Sequence, residues 1–469
     1  MRIFALLLLC TLLGALKVPA VESRPNILFV LFDDLGWGQP ESYNADSALR
    51  TPNLDRLARQ GMRFTDAHAA AAVCTPTRYG VLTGRYPSRI GQFGVLTTFS
   101  LPIIPTSRLT VASLLRQHDY ATACIGKWHL GIDWLDGEPG SQSSVPVGAK
   151  IHEGPNALGF DYFYGFTHAR NIGTVIEQDQ VVANVEPVEN QPMMIRKAVE
   201  WMGQRDQDKP FFLYFPMCPP HEPLVPSPDY IGKSGAKDLV KKSPVYGDWV
   251  YQGDAMLGQL LEALEFYNLA DNTLVIATAD NGAAGRSYEP LRASKSSIYE
   301  GGHRVPYVVR WPGKVEPGSV NDHTICLNDL MATVAEIVGG DLPDDAGEDS
   351  ISLVAEFLGT AETPVREVTV HQAPSGDLAI RKGPWKMVFL KAGPPELYNL
   401  DTDLSEACDV ISTHPDIAAE LTAVLQRIIK RGRSTPGEVQ TNDFELALPD
   451  GKGKAKRKNK KKRNSDPSV

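Results

Sequence analysis

Apolar residues along this chain fall into short unbroken runs separated by stretches with helical spacing. That alternation predicts a parallel sheet covered by helices on both faces. Residues 26–32 (NILFVLF), 121–125, 211–217, 273–279 and 306–311 read as strands buried on both sides, because polar residues do not alternate with apolar ones in them. Between them, Thr51-Pro52 marks a helix start, with Thr as N-cap and Pro in the first turn, and Gly61 closes that helix. A second helix is expected over 110–118, and 248–267 carries the longest helical spacing. After about residue 345 the texture changes. Residues 367–371, 378–380 and 386–390 read as short strands between Gly/Pro turns, followed by an amphipathic helix over 415–430. The expected organisation is α/β: a large, mostly parallel central sheet covered by helices over 24–344, then a smaller antiparallel α+β unit over 345–431. A disordered Lys-rich tail is expected over 432–469.

Composition changes this view in three places. At 469 residues, with 42% hydrophobic and 22% charged residues, the chain is an ordinary globular protein, which excludes collagen, coiled coil and wholesale disorder. The formal net charge of -9 hides nine Lys/Arg and no acid between Lys452 and Arg463, so the rest of the chain is twice as acidic as its average. An acidic body excludes nucleic acid as the main partner. Residues 1–23 have the form of a signal peptide, with Arg2 ahead of an apolar stretch over 3–16 and a small-residue boundary at Ala20 or Ser23. No later run approaches the ~20 apolar residues of a membrane span, so an exported protein, periplasmic or secreted, with no stable membrane span is expected. Five cysteines remain beyond that leader: Cys74, Cys124, Cys218, Cys326 and Cys408. Their odd number means that one is free, paired elsewhere or chemically used.

Candidate chemistry sits at strand ends, where ligands bind in parallel α/β sheets. Asp33-Asp34 follows the NILFVLF run, and Asp280-Asn281-Gly282 follows the 273–279 run. Either pair alone could be a turn. Together they offer four oxygen donors, a set that suits a hard divalent cation, Ca²⁺ or Mg²⁺, rather than zinc.

The segment Cys74-Thr75-Pro76-Thr77-Arg78, followed by Leu82-Thr83-Gly84-Arg85, resembles the sulfatase family of the alkaline-phosphatase superfamily, whose hallmark is Cys-x-Pro-x-Arg with a Thr-Gly-Arg shortly after. Further segments are similar to that family in order along the chain. They are Gly126-Lys127-Trp128-His129-Leu130-Gly131, His221 within Pro219-Pro220-His221-Glu222-Pro223, and Lys295 ahead of Tyr299-Glu300-Gly301-Gly302. Glu396-Leu397-Tyr398-Asn399-Leu400 extends the likeness more weakly toward the C-terminus.

The resemblance implies a sulfuric ester hydrolase in which a maturation enzyme oxidises Cys74 to formylglycine, whose hydrated aldehyde is the nucleophile. A serine would remain trapped as its own sulfate ester, whereas a geminal diol expels sulfate by reforming the aldehyde. The implied metal ligands are Asp33, Asp34, Asp280, Asn281 and the modified residue 74, holding one divalent cation, Ca²⁺ ahead of Mg²⁺. Arg78 and Lys127 would hold the diol, and His129 would act as base. Lys295 and His221 would face the sulfate, one of them protonating the leaving oxygen. The expected substrate is a sulfated glycan. Its selection is assigned to loops above the pocket: His168 and Arg170, residues 92–101, His303, and the region near His371. Competing readings are a phosphate or phosphonate monoester hydrolase of the same superfamily, a non-catalytic glycan-binding protein, and a polyanion-binding role for the Lys-rich tail.

Overall fold

The computed structural model of the protein describes residues 24–235, 245–286 and 288–453. An eleven-stranded sheet forms its centre. From one edge its strands are β12 (Ser319–Asn321), β2 (Met62–His68), β11 (Arg304–Arg310), β10 (Thr273–Ala279), β1 (Asn26–Asp33), β9 (Phe211–Pro220), β3 (Ala121–Lys127), β6 (Tyr162–Phe166), β7 (Thr174–Glu177) and β8 (Gln180–Asn184), and β13 (Ile325–Cys326) pairs with β2. The five inner strands β10-β1-β9-β3-β6 are all parallel. β4 (Asp133–Trp134) and β5 (Ile151–Glu153) form a separate two-stranded ladder. A four-stranded antiparallel sheet, β14 (Val368–Gln372), β15 (Leu378–Lys382), β16 (Trp385–Phe389) and β17 (Glu396–Asn399), makes the C-terminal unit with helix Pro415–Arg431.

Every residue of β1, β9 and β10 is buried, as expected of strands with helices on both faces. Helices Pro52–Gln60, Pro187–Gln204 and Tyr246–Phe266 pack together in one group, and Cys74–Thr83, Val111–Gln117 and Leu330–Val338 in another. Thr110 caps its helix as expected, accepting from the Ser113 N–H in a reciprocal capping box. Thr51 does not cap. The free N–H groups of Asn53 and Leu54 are taken instead by the Asp254 carboxylate at 2.8–3.1 Å, a partner two hundred residues away that local pattern cannot reveal.

The tail expected to be disordered from residue 432 is ordered through 453. Asp443 accepts from Arg85 at 2.7 Å, Asn442 from Arg89 at 2.9 Å, and the Gly453 N–H bonds the Lys391 carbonyl at 2.7 Å. Buried arginines of the large α/β domain need these acceptors, which fixes a segment with little apolar pattern of its own. The Lys-rich run from 454 onward and the signal peptide expected over 1–23 lie outside the described residues. No helix among the described residues is long and apolar enough to cross a membrane.

Candidate active site

Four adjacent parallel strands deliver their carboxyl ends to one place. β1 ends in Asp33 and Asp34, β10 leads into Asp280 and Asn281, β9 into His221, and β3 into Lys127 and His129. Register does the rest: Phe32 lies opposite Ala279, so the two acidic pairs emerge side by side. The Asp34 N–H donates to Asp280 Oδ1 at 3.0 Å, and Asp34 takes a left-handed backbone, φ 73°, that aspartate tolerates better than most residues. Gly126 and Gly282 are required by close approach: a Cβ would lie 2.1 Å from the Pro216 carbonyl oxygen and 1.9 Å from that of Gly301, respectively.

Three buried carboxylates meet three cations. Lys127 Nζ is 2.5 Å from Asp33 Oδ2, Lys295 Nζ 2.5 Å from Asp34 Oδ1, and the Arg78 guanidinium donates twice to Asp280 Oδ2 at 2.7 and 3.2 Å. Burial alone would raise the Asp33 carboxyl, but Lys127, His221, Arg78 and Lys295 together hold it well below the usual carboxylate range. Burial, then the charge on Asp33, pushes Asp280 up to about 7 despite its two bonds from Arg78. The three acids are matched one for one by cations, yet further positive charge beside Asp280 would favour its ionised form. Asp33 Oδ1, Asp34 Oδ2 and Asn281 Oδ1 are buried acceptors without a donor among the described residues, and Cys74 Sγ lies within 4.8 Å of Asp33 and Asp280 ligand atoms. Oxygen acceptors of this kind are what a hard divalent cation would need, so these residues fit one.

Cys74 opens a ten-residue helix in which every residue is buried. Burial raises its thiol above the ordinary value, which disfavours a thiolate nucleophile. His129 Nε2 faces the Leu96 carbonyl at 3.1 Å, an acceptor only, so that nitrogen carries the proton. Its Nδ1 is buried without a partner among the described residues and presents a lone pair. Burial and then Lys127 hold the imidazole well below its usual value, so it is neutral and able to accept a proton.

Residues 25–340 match the family model described as Sulfatase. The chain belongs to the sulfatase family. It is 31% identical to an N-acetylgalactosamine-6-O-sulfatase of Bacteroides thetaiotaomicron over 87% of this chain and 94% of that one. It is 32% identical to human arylsulfatase A, over 84% and 80%. Its structure is similar to that of Ps i-CgsB in complex with k-i-k-neocarrahexaose, with a TM-score of 0.77 and 27% identity over 89% of this chain and 96% of that one. The protein is a sulfuric ester hydrolase.

The sulfatase brings Asp33, Asp34, Cys74, Arg78, Lys127, His129, His221, Asp280, Asn281 and Lys295 into one constellation. His168 joins it: its ring stacks on His129 with centroids 5.5 Å apart, and its Nε2 bonds Thr98 Oγ1 at 2.9 Å. Arg170 is exposed and lines a cleft of about 650 Å³ that also contains His221. Thr75, at the first variable position of the hallmark, is a supporting residue that sequence pattern does not single out. Its hydroxyl donates to the His129 carbonyl at 3.1 Å and accepts from the Leu96 N–H at 3.2 Å, tying Cys74, His129 and the 92–101 loop together. The Thr-Gly-Arg element is structural, because Arg85 turns away to Glu348 at 3.1 Å and Asp443 at 2.7 Å.

His303 does not face substrate, contrary to expectation, and neither does His371. Both are fully buried between the two sheets. His303 stacks on His371 at 4.0 Å, and its Nδ1 lies 3.1 Å from His68 Nδ1. Lys386 Nζ, on β16, bonds His303 Nε2 at 3.1 Å and pairs with Glu300 at 2.9 Å and Glu406 at 2.8 Å, all three charged side chains being fully buried. Lys386 thus draws the Glu300–His303 helix beneath the C-terminal sheet, away from the pocket. Lys386→Met is expected to leave buried Glu406 without its ion-pair partner and Glu300 with Arg304 at 3.3 Å, and to destabilise the protein by about 3–5 kcal/mol. Thermal unfolding of that variant measures it; an unchanged midpoint would show the network to be energetically idle.

Proposed function

We propose that this sulfatase removes sulfate esters from a sulfated carbohydrate outside the cytoplasm. In this reading a formylglycine made from Cys74 is the nucleophile, and one divalent cation is held by Asp33, Asp34, Asp280 and Asn281. The observation that carries the reading is the set of three buried donor-less oxygens beside Cys74 in a pocket otherwise balanced by three cations. A set of protein oxygens with relaxed geometry favours Ca²⁺ over Mg²⁺, which demands near-ideal octahedral ligands and retains water. When bound, such a cation would neutralise charge on the sulfate oxygens and acidify a hydroxyl of the aldehyde hydrate.

The chain's own residues supply the remaining roles. Lys127 and Arg78 lock the acids, Arg78 also donating to the Lys127 carbonyl at 3.0 Å, so the site is rigid before substrate arrives. His129 accepts a proton at Nδ1, held in that tautomer by Leu96 and in orientation by the His168 ring. Lys295 and His221 are the members of the set that reach solvent, with 14% and 25% side-chain exposure, so they face the incoming sulfate. Cys74 is 1% exposed, so a maturation enzyme would have to reach it before the chain folds.

The carbohydrate assignment is supported by the named activity of the Bacteroides relative, by the oligosaccharide in the Ps i-CgsB structure, and by the cleft beside His221. Export rests on the form of residues 1–23. The test is mass spectrometry of the tryptic peptide 64–78 from protein made with a competent maturation enzyme, paired with sulfate release from an aryl sulfate. Formylglycine at position 74 with turnover is expected. Turnover with an intact cysteine would overturn the nucleophile assignment.

A further inference from the structure

The reacting set is complete in charge without Arg170. Asp33, Asp34 and Asp280 are matched by Arg78, Lys127 and Lys295, and a sulfate monoester adds a single negative charge. Arg170 stands outside that balance. It lies on the short 3₁₀ turn Ala169–Asn171, and its backbone N–H donates to His168 Nδ1 at 3.2 Å. His168 is itself clamped, stacking on His129 and bonding Thr98. The base of the Arg170 side chain is therefore fixed relative to the catalytic imidazole. Its guanidinium makes no hydrogen bond or ion pair with any described residue, although Glu186 and Glu222 line the same cleft. Arg170 is the one Lys or Arg among the described residues lining that cleft, whose other walls include Ser143, Ser144 and exposed Asn184, groups suited to sugar hydroxyls. His221, against Asp34 at 3.8 Å, connects the cleft to the reacting centre.

A guanidinium offers five donors and no acceptor, in a fork that matches a planar carboxylate or two oxygens of a sulfate. We propose that Arg170 reads a second oxyanion, a sulfate or a carboxylate, on the part of the glycan that lies in this cleft. The preferred substrate is then a glycan bearing a further negative charge close to the ester being cleaved, and Arg170 is a specificity-determining residue. This deepens the sulfatase reading above and rests on it.

The experiment uses full-length matured enzyme. Oligosaccharides of chondroitin, heparin, carrageenan and fucoidan are screened for sulfate release, with 4-nitrophenyl sulfate, which has no second anion, as reference substrate. On the oligosaccharide that the wild type desulfates, Arg170→Gln is expected to lower kcat/KM about tenfold relative to its value on the reference, mainly through KM, and Arg170→Lys to recover only part. The ratio cancels any general loss. Carboxyl-reduced and selectively desulfated forms of that oligosaccharide distinguish the two sources of the anion: the form lacking the anion that is read loses the difference between wild type and Arg170→Gln. Equal loss on both substrates, no loss on either, or turnover of the reference by a wild type that desulfates none of the oligosaccharides overturns the assignment while leaving the sulfatase reading intact. Failure of a formylglycine-bearing wild type on every sulfate ester would instead defeat the underlying reading.

Discussion

Cys74→Ala is expected to abolish turnover, a fall of about five to six orders of magnitude in kcat, the scale seen when a covalent nucleophile is removed. The fold should survive. Cys74 is buried at the start of its helix, its thiol makes no hydrogen bond with a described residue, and deleting one sulfur removes little packing. Far-ultraviolet circular dichroism and the unfolding midpoint should therefore match the wild type, so lost activity reports chemistry rather than collapse. Cys74→Ser, made in cells without a maturation enzyme, sharpens the result. A serine hydroxyl in this pocket could, once deprotonated, attack sulfur and release the substrate's alcohol, but it has no second hydroxyl with which to expel sulfate. The expected outcome is a chain heavier by one sulfo group, SO3, at residue 74 and no steady-state turnover. Near-normal activity in Cys74→Ala would show that another group attacks sulfur.

Removal of the metal should have the second-largest effect. Dialysis against a chelator is expected to reduce activity at least about a hundredfold, restored by Ca²⁺ more fully than by Mg²⁺. The fold should also lose stability, because Asp33, Asp34 and Asp280 crowd one buried site. A cation bound at a thousand times its Kd contributes about 4 kcal/mol through mass action. Asp280→Asn is the informative variant. It keeps the shape and one acceptor for Arg78 but removes a charged ligand, so metal content by elemental analysis should fall from about one per chain toward zero. Unchanged stoichiometry would remove Asp280 from the ligand set.

Both results bear on residues that local sequence pattern makes legible. The buried strands are readable because β1, β9 and β10 are apolar on both faces, and strand ends with acids have few physical explanations. Polar strands are not readable. In β2, MRFTDAH, Asp66 and His68 are buried, and Asp66 pairs with Arg304 and Arg381 at 3.2 and 2.6 Å. That burial depends on partners more than two hundred residues away. The helix Cys74–Thr83 is equally invisible, because all ten of its residues are buried and no amphipathic face exists for periodicity to detect.

Sequence by itself placed the candidate chemistry at two acidic pairs on strand ends, and its resemblance to the sulfatase family around Cys74 singled out Lys127, His129, His221 and Lys295. It also determined the parallel core, since unbroken apolar runs have nowhere to sit except between two helical layers. Tertiary structure alone decided which histidines serve the pocket. His168 and His303 are both His in a loop by local pattern, yet one stacks on His129 and the other is drawn under the C-terminal sheet by Lys386. It also decided that residues 432–453 are ordered and that Arg170 has no ionic partner in the cleft among the described residues. The physical reason is common to all of these. A side chain's ionic and hydrogen-bond partners come from distant segments, and burial makes those partners, rather than local propensity, decide where the side chain goes.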